Sequence, residues 1–397
     1  MTSAVNESFR LEDAPMAKDR AAGWRFVSEG GDVFQGADGT WFLTSAESVQ
    51  FAHRHPEVFS SARAFDMLAS PVPLIPIAVD QPAHKNYRRV LDPMLAPRVV
   101  NTIEEQLRTQ IRDLVLAFAD KGECDIVADL ARLYPTQVFL TLFGMPLADR
   151  DQFIEWVEAI NEGAATAVPG EAPPDRVVRA AGSLFGYLQH YVDLKREEPG
   201  EDILSRVLSL SGEQAWSNEE ILGLCFLFTL AGLDTVTATI GFVMLHLACN
   251  RGLRRRIVAD TSLVPPAIEE ILRLELPAPT TPRVVLEEVE VCGVRIPAGA
   301  RVMLVLATAN RDGTRFANPE QIDIDRGDQG HLSFGGGIHR CLGSHLARRE
   351  LRLVVEEFHK LVPDYQVKPG AEPAVVWPAG TLHLDSLPLV YPAASAR

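Results

Sequence analysis

The segment Phe334–Gly343 (FGGGIHRCLG) carries the most specific chemistry in this sequence. Its three consecutive glycines permit backbone conformations with positive φ that other residues rarely adopt. Cys341 follows them, and the leucines after it recur at helical spacing, so we expect this cysteine near the N-terminus of a helix. Backbone N–H groups and the helix dipole at that position favour a thiolate. The segment therefore predicts a glycine-rich loop that presents a chemically special cysteine.

Three interpretations of this loop are open from its residues alone. The first is a glycine-rich turn that contains a buried structural cysteine. The second is a zinc site made by His339, Cys341 and His345, with His331 nearby, although the paired spacings of ordinary zinc sites are missing. The third is a thiolate ligand for a haem iron, in which Gly343 lets the flat porphyrin approach the chain closely.

The composition of the 397-residue chain excludes some classes of protein. Its 53 acidic and 38 basic side chains give a formal net charge of −15, which argues against nucleic acid as a partner. Five cysteines are too few for a disulfide scaffold and fit a reducing compartment. We expect the four outside the loop to be small core residues: Cys124, Cys225, Cys249 and Cys292. Residues 1–20 lack a signal-peptide pattern, so we expect a cytoplasmic protein.

Helical periodicity dominates the chain, for example over residues 100–119, 180–195 and 351–361. Possible strands occur around residues 25–27 and 40–43, and again over residues 284–296 and 301–306. No repeat or long polar linker divides the sequence. We therefore expect a mainly α protein with small β-sheets, folded as one domain over residues 1–397.

The apolar segment 221–249 carries a single formal charge, Asp234, near its middle. By length it could span a membrane; the alternative is the buried central helix of a large soluble protein. Ser217 and Glu220 are spaced as a capping box, and lipid penalises a charge most strongly at the middle of a span. Both features favour the buried helix and argue against a membrane anchor.

The centre of this segment, residues 231–235 (AGLDT), breaks two local rules. Gly232 costs a helix about 1 kcal/mol relative to alanine. Asp234 is costly to bury without a partner. Such conflicts often mark functional sites. The alternative is a simple kink in which the Thr235 hydroxyl bonds to its own backbone.

Two more pairs are spaced to share a helix face. Glu270 and Arg273 are three residues apart, and as an exposed pair they would contribute under about 0.5 kcal/mol. Glu269 has the four-residue spacing to compete for Arg273. His84 and Arg88 are four residues apart on a helix expected to begin after Asp80.

The loop pattern F-G-x-G-x-H-x-C-x-G resembles the haem-binding signature of the cytochrome P-450 monooxygenases. Residues 231–235 are similar to the oxygen-binding helix of that family, A-G-x-D-T, and Glu270 with Arg273 resembles its E-x-x-R pair. The resemblance extends from about Phe59 to Pro388, in the order of the family. It implies the cytochrome P-450 fold, a helical prism that encloses the haem.

The resemblance also implies roles for individual residues. Cys341 would be the axial thiolate ligand of haem b, Asp234 and Thr235 would deliver protons, and Glu270 with Arg273 would be structural. Val236 departs from the family, which often has a hydroxyl there. The remaining residues expected to contact the haem are His84, Arg88, Ala231, Gly232, Arg283, Phe334, Gly335, His339 and Gly343.

The implied reaction inserts one oxygen atom of O2 into a C–H or C=C bond of a small lipophilic substrate. No reductase segment follows the loop, so we expect electrons from a separate ferredoxin and its reductase, and a monomeric enzyme. A basic cluster is expected to dock the ferredoxin, the alternative being a solvated helix face: Arg340, Arg348, Arg349 and Arg352.

Apolar residues without a charged anchor suggest a neutral substrate, such as a terpenoid or steroid. The residues expected to line the substrate pocket are Leu74, Ile75, Ile77, Val168, Leu230 and Pro279. A fatty acid substrate, a peroxygenase and a non-catalytic haem- or lipophile-binding protein are the alternatives. Peroxygenases usually lack an acid–alcohol pair like Asp234 and Thr235.

Overall fold

Helices form most of the protein in this computed structural model, which describes residues 5–65, 70, 72–165, 174–327 and 330–393. In chain order the helices are α1 (Arg20–Ser28), α2 (Ala46–Arg54), α3 (Ala83–Met94), α4 (Pro97–Thr102), α5 (Glu104–Leu116), α6 (Leu133–Leu142), α7 (Arg150–Ala165), α8 (Asp175–Glu197), α9 (Ile203–Leu208), α10 (Asn218–Cys249), α11 (Arg251–Ala259), α12 (Val264–Leu274), α13 (Leu306–Ala309) and α14 (Ser344–Leu361). The strands are β1 (Val33–Gln35), β2 (Trp41–Leu43), β3 (Phe59–Ser60), β4 (Glu123–Asp125), β5 (Thr280–Val285), β6 (Val289–Val291), β7 (Val294–Ile296), β8 (Arg301–Val305), β9 (Gln366–Val367), β10 (Val375–Val376), β11 (His383–Leu384) and β12 (Pro388–Val390).

The largest sheet joins strands from the first 60 residues with strands from residues 280–305, in the strand order β1-β2-β8-β5-β3. Strands β2 and β8 are parallel, and the other pairs in this sheet are antiparallel. In the register of β5 with β8, Arg283 lies opposite Val302. The other sheets in the described ranges are β4-β12-β9 and the hairpins β6-β7 and β10-β11. The sheet thus fixes Arg283 on a strand anchored along both edges.

Helix α10 is the central element of the helical part. It begins with the predicted capping box, in which the Glu220 N–H donates to Ser217 Oγ at 3.2 Å and the Ser217 N–H donates to Glu220 Oε2 at 2.6 Å. Its first half packs in one hydrophobic cluster, through Leu224 and Leu233, and its second half packs in another, through Phe242. The helix is long and apolar enough to cross a membrane, and half of its most apolar window is buried in the fold. This two-sided packing supports the predicted core helix.

Gly223 allows a loop to pack directly on α10. A Cβ added there would lie 1.9 Å from the carbonyl oxygen of Pro73. The proline-rich segment 72–79 therefore contacts the first half of α10 through its backbone, and only glycine leaves room for it.

One expectation about local structure is wrong, and another is right about the type of element but not about its continuity. Residues 25–27 belong to α1, because Asp19 caps that helix and Trp24 and Val27, three residues apart, are its buried contacts. Residues 100–119 form the two helices α4 and α5, which meet at Ile103. Short apolar runs do not distinguish a strand from a helix turn without the capping residue.

The expectation that four cysteines are core residues holds for two of them. Cys124 and Cys225 are buried, whereas Cys249 and Cys292 are exposed. Cys249 is the last residue of α10. Cys292 lies at the turn between β6 and β7 with a φ of 49°, a turn conformation that removes it from the core.

Candidate active site

The glycine-rich loop holds Cys341 just before the N-terminus of α14, as the sequence predicts. The Cys341 N–H donates to the carbonyl oxygen of Phe334 at 2.8 Å, which closes the loop. Gly335 and Gly337 have φ values of 66° and 61°, a region that favours glycine. α14 begins three residues after the cysteine, at Ser344.

Cys341 borders a space inside the protein. Its surface is accessible to solvent, yet burial raises the pKa of its thiol. The Gly343 N–H and the positive charges of Arg88, Arg348 and Arg340 act in the opposite direction and lower the pKa. A thiol that is accessible but surrounded by protein fits the wall of an internal site.

Open space also lies beside two glycines that the sequence singles out. A Cβ added at Gly232 or at Gly343 would have no neighbouring atom within 4 Å. Ala231 and Gly232 are exposed although they lie in the middle of a largely buried helix. Leu342 packs against the hydrophobic cluster that contains Leu233, so the cysteine loop and the centre of α10 are joined by one cluster. These observations fit a flat group held between the loop and α10.

A cluster of nitrogen donors lies at one side of the cysteine loop. The rings of His84 and His339 are 4.3 Å apart between centroids. Arg88 donates from Nη1 to the carbonyl oxygen of Arg340 at 2.7 Å. Arg283 is buried on β5, where Nη1 donates to the carbonyl oxygen of Pro282 at 2.6 Å. The structure thus brings together four of the residues expected to contact the haem, namely His84, Arg88, Arg283 and His339.

Asp92 pairs with Arg88 at 2.7 Å and Asp80 acts on Arg283 and His339, but buried ring nitrogens of this cluster still lack acceptors. Burial lowers the pKa of Arg283 to about 10, and burial together with the positive charge of Arg283 lowers the pKa of His339 to about 3. Both ring nitrogens of His84 are buried and have no hydrogen-bond partner. Buried donors of this kind require acceptors. The two carboxylates of a haem have the matching chemistry.

His53 belongs to the same cluster and was not predicted from the sequence. Its Nδ1 is buried without a partner, and burial, together with Arg283, lowers its pKa to about 4. A Cβ added at Gly336 would lie 2.6 Å from that nitrogen, so His53 packs against the backbone of the cysteine loop. No local pattern marks this histidine, because its partners lie more than two hundred residues away in sequence.

Asp234 and Thr235 each bond a different partner. Burial raises the pKa of Asp234 to about 6, and the carboxylate accepts a hydrogen bond from Asn161 of α7. Thr235 donates from Oγ1 to the carbonyl oxygen of Ala231 at 2.7 Å, as the kink interpretation anticipates. Helix α10 nevertheless continues unbroken through this point. The acid thus has a neutral partner on a neighbouring helix.

Glu270 and Arg273 form a buried ion pair, with Arg273 Nε 2.9 Å from Glu270 Oε1. Arg326 also contacts Glu270 at 3.1 Å, and Arg273 donates to the carbonyl oxygens of Pro319 and Gln321. This pair therefore ties α12 to the segment before the cysteine loop. Its burial excludes the exposed-pair interpretation.

Three arginines of the expected docking face form ion pairs with glutamates. Arg348 pairs with Glu269 at 2.7 Å, and Glu104 pairs with both Arg349 and Arg352. Arg340 is exposed and forms no ion pair with any residue that the structure describes. Because Glu269 pairs with Arg348 and His331, it does not compete for Arg273.

The residues expected to line the substrate pocket differ in exposure. Leu74, Ile75 and Pro279 are buried, whereas Ile77 and Leu230 are half-buried. Val168 lies outside the described residues.

Thr281 was not predicted; its hydroxyl is buried without a partner. It lies two residues before Arg283 on β5 and so shares the face of Arg283.

The donor sets do not support zinc. Within the ranges that the structure covers, no group of three or more His, Cys, Asp or Glu side chains is placed to hold a metal ion. A single cysteine thiol beside an open space fits a haem ligand better.

Known proteins agree with this geometry. The sequence profile of the family described as Cytochrome P450 matches residues 32–374. The vitamin D(3) 25-hydroxylase of Pseudonocardia autotrophica is 34% identical over 346 residues, covering 84% of this chain and 83% of that protein. The steroid C26-monooxygenase of Mycobacterium tuberculosis (strain H37Rv) is 29% identical over 394 residues, covering 98% of both chains.

Solved structures show the same architecture. A mutant of P450 EryK in complex with erythromycin B has a TM-score of 0.85 and 29% identity, covering 95% of this chain and 97% of that chain. CYP109E1 from Bacillus megaterium in complex with testosterone has a TM-score of 0.83 and 26% identity, covering 93% and 98%.

The chain belongs to the cytochrome P450 family. The predicted fold, a mainly α P-450 fold with small sheets, is confirmed. The predicted activity class, a P450 monooxygenase, is confirmed as well, and family membership implies a haem-thiolate cofactor.

Proposed function

We propose that this P450 holds haem b through Cys341 and hydroxylates a neutral, steroid-like substrate with electrons from a separate ferredoxin. The observation that carries the proposal is the accessible Cys341 thiol beside open space at Gly343 and Gly232. The bound haem supplies the activation of O2 and the transfer of one oxygen atom to the substrate.

Residues of the donor cluster would anchor the haem carboxylates. Arg283 and Arg88 supply positive charge, and His84, His339 and His53 supply ring N–H donors. His84 and His53 would gain acceptors for buried ring nitrogens that have no hydrogen-bond partner, and a buried donor without an acceptor is costly. Space for the ring is left by the remaining predicted contacts: Ala231, Gly232, Phe334, Gly335 and Gly343.

Asp234 would hold and release the proton that the reaction consumes. A pKa of about 6 lets the carboxyl group exchange its proton near neutral pH. The Asn161 amide keeps the acid on the α7 side of α10, and the Thr235 hydroxyl can accept a proton while it donates to Ala231. Val236 adds no hydroxyl of its own, so the path depends on this pair.

A steroid-like substrate is favoured by both chemistry and relatives. Ile77 and Leu230 are apolar, and Thr281 offers one buried hydroxyl that could bond a substrate oxygen. Relatives are named for vitamin D(3) and for steroids. Titration of the ferric enzyme with sterols should shift the haem from low to high spin. A shift with fatty acids but not with sterols would contradict this proposal.

Exposed cations near Cys341 would receive the ferredoxin. Arg340 and Lys85 are exposed, and neither pairs with an acid among the described residues. Complementary charge accelerates the encounter of such partners. We further propose a cytoplasmic monomer, supported by the net charge of −15, which favours solubility.

A further inference from the structure

Glu269 and Arg348 form a two-point ion pair between α12 and α14. Arg348 Nε lies 2.7 Å from Glu269 Oε1, and Nη2 lies 2.7 Å from Oε2. His331 Nε2 lies 2.9 Å from the same Oε2. Two parallel charged hydrogen bonds fix the plane of a guanidinium more strictly than a single contact. The orientation of Arg348 is therefore set by Glu269.

The other contact of Arg348 is with the cysteine loop. The guanidinium carbon is 4.3 Å from the centroid of the Phe334 ring, a cation–π distance. The carbonyl oxygen of Phe334 accepts the hydrogen bond from the Cys341 N–H. One arginine thus connects a surface carboxylate with the residue that holds the cysteine backbone.

The positive charge of Arg348 therefore lies against the loop that presents Cys341. Glu269 partly cancels that charge, and its hydrogen bonds from His331 and Arg348 outweigh its burial and hold its pKa at about 2. The carboxylate is therefore ionised throughout the neutral range and acts as a fixed counter-charge.

We propose that Glu269 is a positioning residue that sets the reduction potential of the haem by orienting and neutralising Arg348 against Phe334. The proposal rests on the proposed function, because it requires a haem bound through Cys341. The plain alternative is a surface ion pair without influence on the cofactor.

Electrochemical titration of the purified holoenzyme tests this. Glu269→Gln leaves the Arg348 charge uncompensated, which favours the reduced haem, so the midpoint potential should rise. Arg348→Gln should lower the midpoint potential, and the potential of the double variant should be close to that of the wild type. We expect each single change to alter the ferrous-to-ferric ratio at a fixed potential by about three- to tenfold, tenfold being about 59 mV.

Glu104→Gln is the matched control. It removes the same charge from the same surface, but Glu104 pairs with Arg349 and Arg352 rather than with the arginine over Phe334. The midpoint potential of Glu104→Gln should shift by less than half as much as that of Glu269→Gln. Equal shifts in the two variants, or no shift in Arg348→Gln, would overturn the inference.

The ferrous–CO spectrum separates this inference from the proposed function. A wild-type protein without the red-shifted band of a thiolate-bound haem would remove the proposed function itself. A normal band with unchanged potentials would remove only the role of Glu269.

Discussion

At the scale of single residues, Asp234 shows a conflict between stability and function. Its carboxyl group faces His383, Glu158 and Arg132 besides Asn161, and burial still raises its pKa to about 6. A folded-state pKa above the ordinary value of 3.8 means that the folded protein binds this proton more tightly than the unfolded chain does. Ionisation therefore destabilises the fold, and the cost develops between about pH 4 and pH 6.

Asp234→Asn should accordingly stabilise the protein while it slows oxygenation. At pH 8 we expect its free energy of unfolding to exceed that of the wild type by about 1–3 kcal/mol, since one pKa unit corresponds to about 1.4 kcal/mol. The difference should shrink as the pH falls and vanish below about pH 3, where the wild-type carboxyl group is neutral in both the folded and the unfolded state. Denaturant unfolding at the two pH values measures this; an equal difference at both would contradict the burial argument.

At the scale of elements, the pair on α12 organises the segment that leads to the cysteine loop. Arg273 is almost fully buried and donates both to Glu270 and to the carbonyl oxygens of Asn310 and Pro319. The pair fixes where that segment runs. Removing one partner leaves the other charge buried and unpaired, which costs more than the pair itself contributes.

Arg273→Met should therefore lower the free energy of unfolding by about 3–5 kcal/mol, or prevent folding. Arg256→Ala is the control, because its pair with Asp325 is exposed and 3.6 Å long and should contribute under about 1 kcal/mol. Denaturant unfolding of both variants measures the difference. Similar small losses would show that burial does not amplify the Arg273 contacts.

Elements with local signals could be predicted from sequence, and contacts between distant elements could not. The Ser217 capping box and the cysteine loop rest on residues within ten positions of one another, so their patterns are visible. The pairing of Glu269 with Arg348 and the approach of His53 to the loop join residues that are far apart in sequence. They depend on how α2, α12 and α14 pack, which no single periodicity encodes.

At the scale of the whole molecule, a net charge of −15 coexists with a local basic face. Sequence alone suggested four arginines for this face, and the fold pairs three of them with Glu269 and Glu104. These ion pairs reduce the positive charge that the three arginines present to solvent. Steering of an acidic ferredoxin then depends mostly on Arg340 and Lys85.

Arg340→Glu combined with Lys85→Glu should slow reduction by an acidic ferredoxin about three- to tenfold at low salt, with haem content unchanged. The effect should decline as ionic strength rises, because salt screens exposed charges. Arg179→Glu on α8, an exposed arginine of a different helix, is the matched control. Stopped-flow reduction measures the rates; equal rates in all variants at low salt would contradict docking at this face.

Ligation of the haem iron by Cys341 can be examined directly in the ferrous–CO absorption spectrum. The wild-type protein should show the red-shifted Soret band of a thiolate-bound haem, and Cys341→Ser should lose that band. A wild-type spectrum without the red-shifted band, or a Cys341→Ser variant that keeps it, would show that Cys341 is not the thiolate ligand of the haem.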